Sequence, residues 1–500
     1  MWRRVLYRRQ ICAFSAATET HKAPIKLYVI AGEASGDAIG AKVIRALQHH
    51  EPTQIFNFRG IGGPQMCEAG KFKSLFPMQE LSIMGLLELI PHIRRFQLRI
   101  RETLRDIDAY QPKLILTIDS KGFTFRILKA LHQNEQNTGV KLIQKVHYVA
   151  PSVWAYKHRN VRNFTQMKQL LDAMITILPF EKDLFDASGQ KSDDRNESKR
   201  SWCHFVGHPA IEDFLEANGV YENGLTLPSE CSVHIDNSLG ADALLRFPSF
   251  NWKYFAVRGK ILQNMIATGR NKDMKERGRK TFKLSTNAFV ICALVGSRTN
   301  EVTKSLKIVV KAINSFVQKE CQEQQRDILV VFPTIAAVKE QVTTYLSLYS
   351  VGIQYRVLTD LNAIDRLRLF QSSDVAVAVS GTVVLEATLA GLPTVVIYRA
   401  NWFTEWIAKR KAAVRFVSIP NLLFGKPLIP ELLFSNCTVS NIAEALRNLQ
   451  HQPVEQRNAL HLAISISTLT KWHETAENVL QPIRASEVAA KHIFEVLRKG

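Results

Sequence analysis

The sequence has no Cys-x-x-Cys. Its seven cysteines (Cys12, Cys67, Cys203, Cys231, Cys292, Cys321 and Cys437) are scattered. That argues against a disulfide framework and against a cysteine zinc site. Long apolar runs are also missing. The strongest, such as residues 81–90, reach about ten residues where a spanning helix needs about 20, so no transmembrane helix is expected. Repeats of 20–50 residues and low-complexity tracts are absent too. Acids are scarce: 45 Asp and Glu stand against 65 Lys and Arg, for a formal charge of +20. Such a balance favours anionic partners: nucleic acid, an anionic membrane surface or phosphorylated substrates. What is present is ordinary globular composition, 46% hydrophobic and 22% charged, which excludes wholesale disorder. The 500 residues suggest two to four domains, each able to bury a core without staples.

The positive charge is concentrated. Residues 1–24 carry Arg3, Arg4, Arg8, Arg9 and Lys22 against Glu19 alone. Rich in Arg, Ser and Ala, and without the continuous apolar core of a secretory signal, residues 1–24 have the composition of a mitochondrial transit peptide. A plain basic tail is the alternative. Residues 253–283 form the second cluster, ten basic residues against Asp273 and Glu276.

From residue 25 short apolar runs alternate with helical stretches. Residues 26–31, 55–60, 113–118, 141–149 and 173–178 read as strands, each followed by a turn or helix. Residues 288–294, 328–332, 374–379 and 394–398 repeat the pattern. This alternation predicts βαβ units and parallel sheets in two α/β domains. Between them, residues 213–286 lose periodicity and read as an irregular basic insertion or linker. The expected division is 1–24 transit peptide, 25–212 first domain, 213–286 insertion, 287–472 second domain and 473–500 a C-terminal helix. The apolar stripe at 479–497 suits packing back on the chain or an oligomer contact.

Ligands of open parallel sheets bind beyond the carboxyl ends of the strands. Three turns fall there. Gly32-Glu33-Ala34-Ser35-Gly36-Asp37 permits close backbone approach at a helix N-terminus. It lacks the Gly-x-Gly-x-x-Gly spacing of a dinucleotide site. Ser35 or Asp37 as a helix cap is the plain alternative, yet two acids exceed what capping needs. Gly296-Ser297-Arg298 precedes Thr299-Asn300-Glu301, so backbone amides and a guanidinium can grip phosphate oxygens together, or Ser297 or Thr299 with Glu301 can form a capping box. Ser380-Gly381-Thr382 opens a short helix bearing Glu386. Its amides suit a diphosphate, and a carboxylate among apolar neighbours wants a hydroxyl pair or a cation. A surface glutamate on an amphipathic helix is the alternative for Glu386. His147, His158 and His208 lack metal-ligand spacing and read as packing or polar lining.

Several longer strings stand beside these turns: Gly60-Ile61-Gly62-Gly63-Pro64-Gln65-Met66, Ile83-Met84-Gly85-Leu86-Leu87-Glu88, His147-Tyr148-Val149-Ala150-Pro151-Ser152-Val153-Trp154-Ala155-Tyr156, Leu178-Pro179-Phe180-Glu181-Lys182 and Phe205-Val206-Gly207-His208-Pro209. In the second half come Val417-Ser418-Ile419-Pro420-Asn421-Leu422-Leu423 and Pro430-Glu431-Leu432. Together with the three turns they resemble the lipid-A-disaccharide synthases, glycosyltransferases with two Rossmann-like domains and a cleft between them (GT-B). The resemblance covers most of 26–207 and 289–446. One motif departs: where the family reads Ile-Asp-x-Pro-Asp-Phe-Asn, this chain has Ile118-Asp119-Ser120-Lys121-Gly122-Phe123-Thr124. Asp119 is kept, while Gly122 and Thr124 replace an acid and an Asn. Leu294-Val295-Gly296-Ser297-Arg298 likewise replaces Leu-Pro-Gly-Ser-Arg, and 213–286 exceeds the family's link.

The resemblance implies an inverting transfer. A 2,3-diacylglucosamine unit moves from its UDP ester to the 6-hydroxyl of 2,3-diacylglucosamine 1-phosphate, yielding the β-1,6 disaccharide phosphate and UDP. It implies no cofactor and no metal, and no Asp-x-Asp lies at a strand end. Asp119 is the implied base, with Glu33 and Asp37 near it. Arg298, Ser380, Gly381, Thr382, Glu386 and Asn421 are implied for UDP. Met84, Leu86, Leu87 and Leu89, beside Arg94 and Arg95, suit contact with acyl chains and an anionic membrane, or equally a core helix with a solvated basic face. The expected setting is the mitochondrial inner membrane surface, with a homodimer possible. Rivals are a related GT-B UDP-N-acetylglucosamine transferase or epimerase, a nucleic-acid-binding protein suggested by charge alone, and a catalytically silent homologue.

Overall fold

The computed structural model describes residues 23–81, 93–141, 143–152, 155, 161–187, 202–217, 220–223, 225–226, 272–324, 327–350, 352–399, 405, 410, 414–425, 427–451, 470–474 and 479–499. The expected transit peptide up to residue 22 lies outside the described residues. So do the expected acyl contacts Met84, Leu86, Leu87 and Leu89, together with His158.

Two six-stranded sheets organise the chain, parallel throughout. The first has the order β2-β1-β3-β4-β5-β6. Its strands are β1 (Ile25–Ala31), β2 (Phe56–Ile61), β3 (Leu114–Ile118), β4 (Gln144–Tyr148), β5 (Ala173–Thr176) and β6 (Cys203–Phe205). A two-residue strand, β7 (Leu225–Thr226), belongs elsewhere. The second sheet has the order β10-β9-β8-β11-β12-β13. Its strands are β8 (Phe289–Leu294), β9 (Ile328–Thr334), β10 (Gln354–Thr359), β11 (Val375–Val379), β12 (Thr394–Tyr398) and β13 (Glu431–Leu433). Central strands β3, β8 and β11 are buried at every position, as near-continuous Val, Ile, Leu and Ala runs covered by helices on both faces must be. β14 (Lys471–Glu474) and β15 (Val479–Ile483) pair antiparallel, and β15 carries β7 on its other edge.

In each sheet the strand order reverses once at the centre. β1 lies between β2 and β3; β8 lies between β9 and β11. Those reversals open crevices at the carboxyl ends of β1 and β3 and of β8 and β11. The three turns singled out above and the Ile118–Thr124 motif lie at these four strand ends, while the strings beginning at Gly60, His147, Leu178 and Phe205 lie at or after the ends of β2, β4, β5 and β6.

The helices used below are α1 (Ala34–His50), α2 (Pro64–Gly70), α3 (Ile93–Tyr110), α4 (Lys121–Thr138), α5 (Pro209–Ala217), α6 (Lys272–Thr281), α7 (Thr299–Gln324), α8 (Ala363–Ser372), α9 (Thr382–Leu389), α10 (Ile419–Phe424) and α11 (Ala485–Lys499). Helix α5 joins the domains. It packs on α8 and α9 of the second, with Phe214 and Leu215 sharing one buried cluster with Leu367, Leu385 and Leu389. Helix α11 returns to the first domain and packs on α1. Ala489, Ala490, Ile493, Phe494 and Leu497 are buried there, the larger ones each worth roughly 1.5–3 kcal/mol when removed from water. Arg498 pairs with Glu51 at 2.9 Å, and Ser486 donates its backbone N–H to Glu212. The chain itself covers the buried positions of this apolar stripe.

The ends of segment 213–286 are regular, contrary to the irregular region expected from its sequence. Its first residues complete α5, and α6 closes it. Helix α6 has little apolar surface and docks by polar bonds. Buried Arg279 donates to the carbonyls of Ser372, Ser285 and Thr286 at 3.1, 3.2 and 2.6 Å, and to Asp374 at 2.8 Å. Asp374 also accepts from Lys275 and from the backbone N–H of Val290 at 2.7 Å. An apolar periodicity cannot reveal a helix held this way. No helix among the described residues is long and apolar enough to cross a membrane.

Candidate active site

At the first crevice, β3 runs straight into Asp119 and Ser120, both with φ of +49°. Two successive left-handed non-glycine residues cost free energy and are tolerated where the surroundings fix them. The Asp119 amide donates to Tyr148 O at 2.9 Å, which ties the turn to β4. Ser120, and not Asp119, opens α4: the backbone N–H groups of Phe123 and Thr124 bond to Ser120 O. Thr124 at the departed motif position folds its hydroxyl back to Asp119 O and Ser120 O, both at 3.1 Å. A Cβ on Gly32 would lie 2.3 Å from Ser120 Oγ, so the β1 and β3 turns are in close contact. Burial raises the pKa of Asp119, with the Ser120 amide and Arg298 opposing.

Glu33 stands at the N-terminus of α1 in extended conformation, and its side chain caps nothing. It reaches across the cleft to an ion pair with Arg298. Burial raises its pKa, Arg298 opposes, and the nearby charge of Asp119 adds to the rise. Asp37 differs. It is 3% exposed, and its carboxylate accepts from the backbone N–H groups of Gly63, Gln65 and Met66 at 2.9, 3.1 and 2.9 Å. It fastens α1 to the first turn of α2, and a Cβ on Gly63 would strike it at 2.4 Å. Expected near the base, Asp37 is instead consumed as a structural acceptor. Burial raises its pKa and the three amides oppose.

At the second crevice Gly296, with φ of +106°, turns the chain from β8 into α7. Glu301 in the first turn of α7 accepts from Ser297 N at 3.2 Å and from Arg298 Nη1 at 2.5 Å. It ties back the turn before α7 while orienting Arg298. Burial would lower the pKa of Arg298, but Glu33 and Glu301 outweigh it and the net direction is up. At the end of β11, Ser380 donates its N–H to Ile397 O at 3.0 Å, and Gly381 opens α9. Gly381 and Thr382 are exposed, and a Cβ on Gly381 would meet nothing within 4 Å, so this turn leaves room beside its amides.

Glu386 is half-buried and paired with Arg366 Nε on α8. Arg366 lies outside every motif named above. Its signal is weak: it is one of two arginines, with Arg368, beside Asp365 in a ten-residue helix. Asn421, expected at UDP, is bonded within the chain itself. It is fully buried, with its Nδ2 donating to Ile429 O and Glu431 Oε1, both at 2.8 Å, and its Oδ1 accepting from Ile429 N at 2.9 Å. Glu431 accepts also from the amides of Val417 and Ser418, both at 3.0 Å, and from Ser418 Oγ at 2.6 Å. Asn421 thus fixes α10 against β13, with both Nδ2 hydrogens and its Oδ1 bonded within the chain. Among the described basic residues expected at a membrane, Arg94 is exposed, whereas Arg95 pairs with Glu80 at 2.8 Å.

The sequence model of lipid-A-disaccharide synthetase matches residues 27–223 and 261–481, which include every residue of both crevices. The chain belongs to this family. A lipid-A-disaccharide synthase from Granulibacter bethesdensis is 33% identical over 85% of this chain and 86% of its own. An Arabidopsis thaliana protein named "Probable lipid-A-disaccharide synthase, mitochondrial" is 30% identical over 85% of this chain and 79% of its own. Among solved structures, UDP-GlcNAc 2-epimerase from Neisseria meningitidis, bound to UDP-GlcNAc, superposes with a TM-score of 0.51 at 13% identity, covering 95% of this chain and all of that one. The S. aureus MnaA-UDP co-structure gives 0.52 at 13% identity, over 95% and 97%. At such identity these two establish the fold, the GT-B arrangement expected of the family.

Proposed function

We propose that the chain is a glycosyltransferase of lipid A biosynthesis. It transfers 2,3-diacylglucosamine from its UDP ester to 2,3-diacylglucosamine 1-phosphate. Family membership supports the activity. The observation that supports its location is the Glu33–Arg298 ion pair, which sets the two strand-end crevices face to face across the cleft.

Asp119 takes the proton of the acceptor 6-hydroxyl as that oxygen attacks C1 of the donor sugar from the face opposite UDP. The C1–O bond to the β-phosphate breaks and UDP leaves, so the anomeric centre inverts. Its raised pKa suits a base that must hold a proton as the bond forms. The Arg298 guanidinium and the Gly381 and Thr382 amides at the start of α9 face the growing charge on the β-phosphate, and donors in place beforehand cost no reorganisation. Glu386 receives the ribose hydroxyls. Glu33 serves as a partner of Arg298, which leaves Asp119 as the crevice acid with no ion pair among the described residues, its carboxylate met by the Ser120 amide. No metal or cofactor enters this scheme.

The setting we propose is the matrix-facing surface of a mitochondrial inner membrane, with residues 1–24 as the import signal. The mitochondrial name of the plant relative and the composition of that segment support it. Helix α3 offers a membrane-facing stripe: Arg94, Leu98, Arg101 and Arg105 recur at helical spacing and are all exposed, Leu98 by 61%. An exposed Leu among arginines suits an anionic interface that holds lipid substrates. The test of the activity is mass spectrometry of the purified protein incubated with both diacyl substrates. A disaccharide phosphate supports the proposal; UDP release without it, or no turnover, counts against it.

A further inference from the structure

Arg366 lies within the first turn of α8, whose N-terminus is capped by Asn362 accepting from Asp365 N at 2.8 Å. Its Nε donates to Glu386 Oε2 on α9, and its Nη1 reaches Leu361 O at 3.4 Å. Helices α8, α9 and α5 converge here around a small pocket lined by Asp213, Phe214, Leu367, Glu386 and Leu389 among others. Asp213 acts on Arg366 electrostatically but is committed to Lys42 at 2.8 Å. Glu386 is therefore the acid that the guanidinium meets directly.

A glutamate side chain has three rotatable bonds, and a carboxylate meant to take two vicinal hydroxyls must hold one orientation. A planar guanidinium bonded to one oxygen supplies that constraint. Oε2 is engaged by Arg366, which leaves Oε1 and the second lone pair of Oε2 as acceptors. We infer that Arg366 is a positioning residue for the nucleotide ribose, holding Glu386 in the orientation that receives the 2′- and 3′-hydroxyls. This rests on the proposed donor site, in which Glu386 faces the ribose. It adds a residue on a separate helix that discriminates nucleotides by their hydroxyls and that touches none of the reacting atoms.

The test is calorimetric titration of UDP and of 2′,3′-dideoxy-UDP into the wild-type protein, Arg366→Gln, Arg366→Lys, Glu386→Gln and the Arg366→Gln/Glu386→Gln double variant. Arg366→Gln should weaken UDP binding about 10-fold while leaving dideoxy-UDP within about two-fold, because only the hydroxyls are read through Glu386. Arg366→Lys should recover part of the loss, and the double variant should bind UDP no more weakly than Glu386→Gln alone. If Arg366→Gln fails to fold, the Lys variant and its nucleotide preference carry the comparison. Equal losses for both nucleotides, or unchanged UDP binding when Glu386→Gln weakens it, would overturn the inference. If Glu386→Gln itself binds both nucleotides as the wild type does, the donor site is misplaced and the role of Arg366 falls with it.

Discussion

Glu33, at the end of the first strand of one domain, and Arg298, at the end of the first strand of the other, form an ion pair across the cleft. Both side chains are largely buried, and Glu301 holds the guanidinium from the other side at 2.5 Å. A diphosphate that uses Arg298 must share it with these acids. Glu33→Gln removes one of them, and UDP should bind roughly 3–10-fold more tightly, since a like charge near the phosphates is gone. Arg298→Ala should cost about 1.5–3 kcal/mol in kcat/KM for the donor, the range of hydrogen bonds to charged groups. Titration of UDP and steady-state kinetics check the two. Weaker UDP binding by Glu33→Gln would mean that Glu33 aims Arg298 and does not compete for it.

Asp37 is predicted to matter for stability. Asp37→Ala strands three backbone N–H groups that are buried or half-buried, and each unsatisfied group costs about 1–3 kcal/mol. Denaturant titration should show a loss of at least about 2 kcal/mol. A variant that stays as stable as wild type but loses turnover would return Asp37 to the chemistry.

The sequence makes some of this plain and hides the rest, for physical reasons. Central strands such as β8 and β11 are fully buried, so their apolar runs stand out. The unread strands β6, β10 and β13 lie at or next to sheet edges or are only three residues long. β10 is exposed or half-exposed at every position, which dilutes the pattern. Crevice positions follow from where strands end, so Asp119, Arg298 and the Ser380–Thr382 turn were legible. Which acid has spare acceptors was not. Asp37 and Asn421 look like ligand residues in a motif, but Asp37 is taken by backbone amides on α2 and its approach, and Asn421 by the Ile429 backbone and the Glu431 carboxylate. Arg366 becomes visible only when α8 is laid against α9.

Membrane binding makes a charge-based prediction. Each arginine near an anionic surface contributes about 1 kcal/mol, so Arg94→Gln/Arg101→Gln/Arg105→Gln should weaken sedimentation with anionic vesicles roughly 100-fold. Leu98→Ser should weaken it further without altering the salt dependence, because it removes inserted apolar surface and no charge. Binding that ignores all four changes in a folded protein would leave α3 as a solvated face.

Arg279→Met tests the docking of α6. The variant leaves Asp374 and three carbonyls without their buried donor. Breaking a buried pair by removing one member costs about 3–5 kcal/mol. Proteolysis should then cut near residues 272–286 faster than in wild type. An unchanged digestion pattern and melting temperature would show that α6 is held by other contacts.

The central claim is that Asp119 is the base of a glycosyl transfer, and Asp119→Asn tests it. Asn keeps the shape and tolerates the left-handed backbone but takes no proton. The folded-state pKa of Asp119 lies above its ordinary value, so the charge disfavours the fold increasingly as pH rises through that shifted value. Near neutral pH the Asn variant should therefore melt no lower than wild type. Its single-turnover rate with both lipid substrates should fall roughly 10²–10⁴-fold, and the acid limb of the wild-type rate profile, lying above the usual aspartate range, should disappear. A variant that forms the disaccharide phosphate at the wild-type rate, with the same pH profile, would contradict the account.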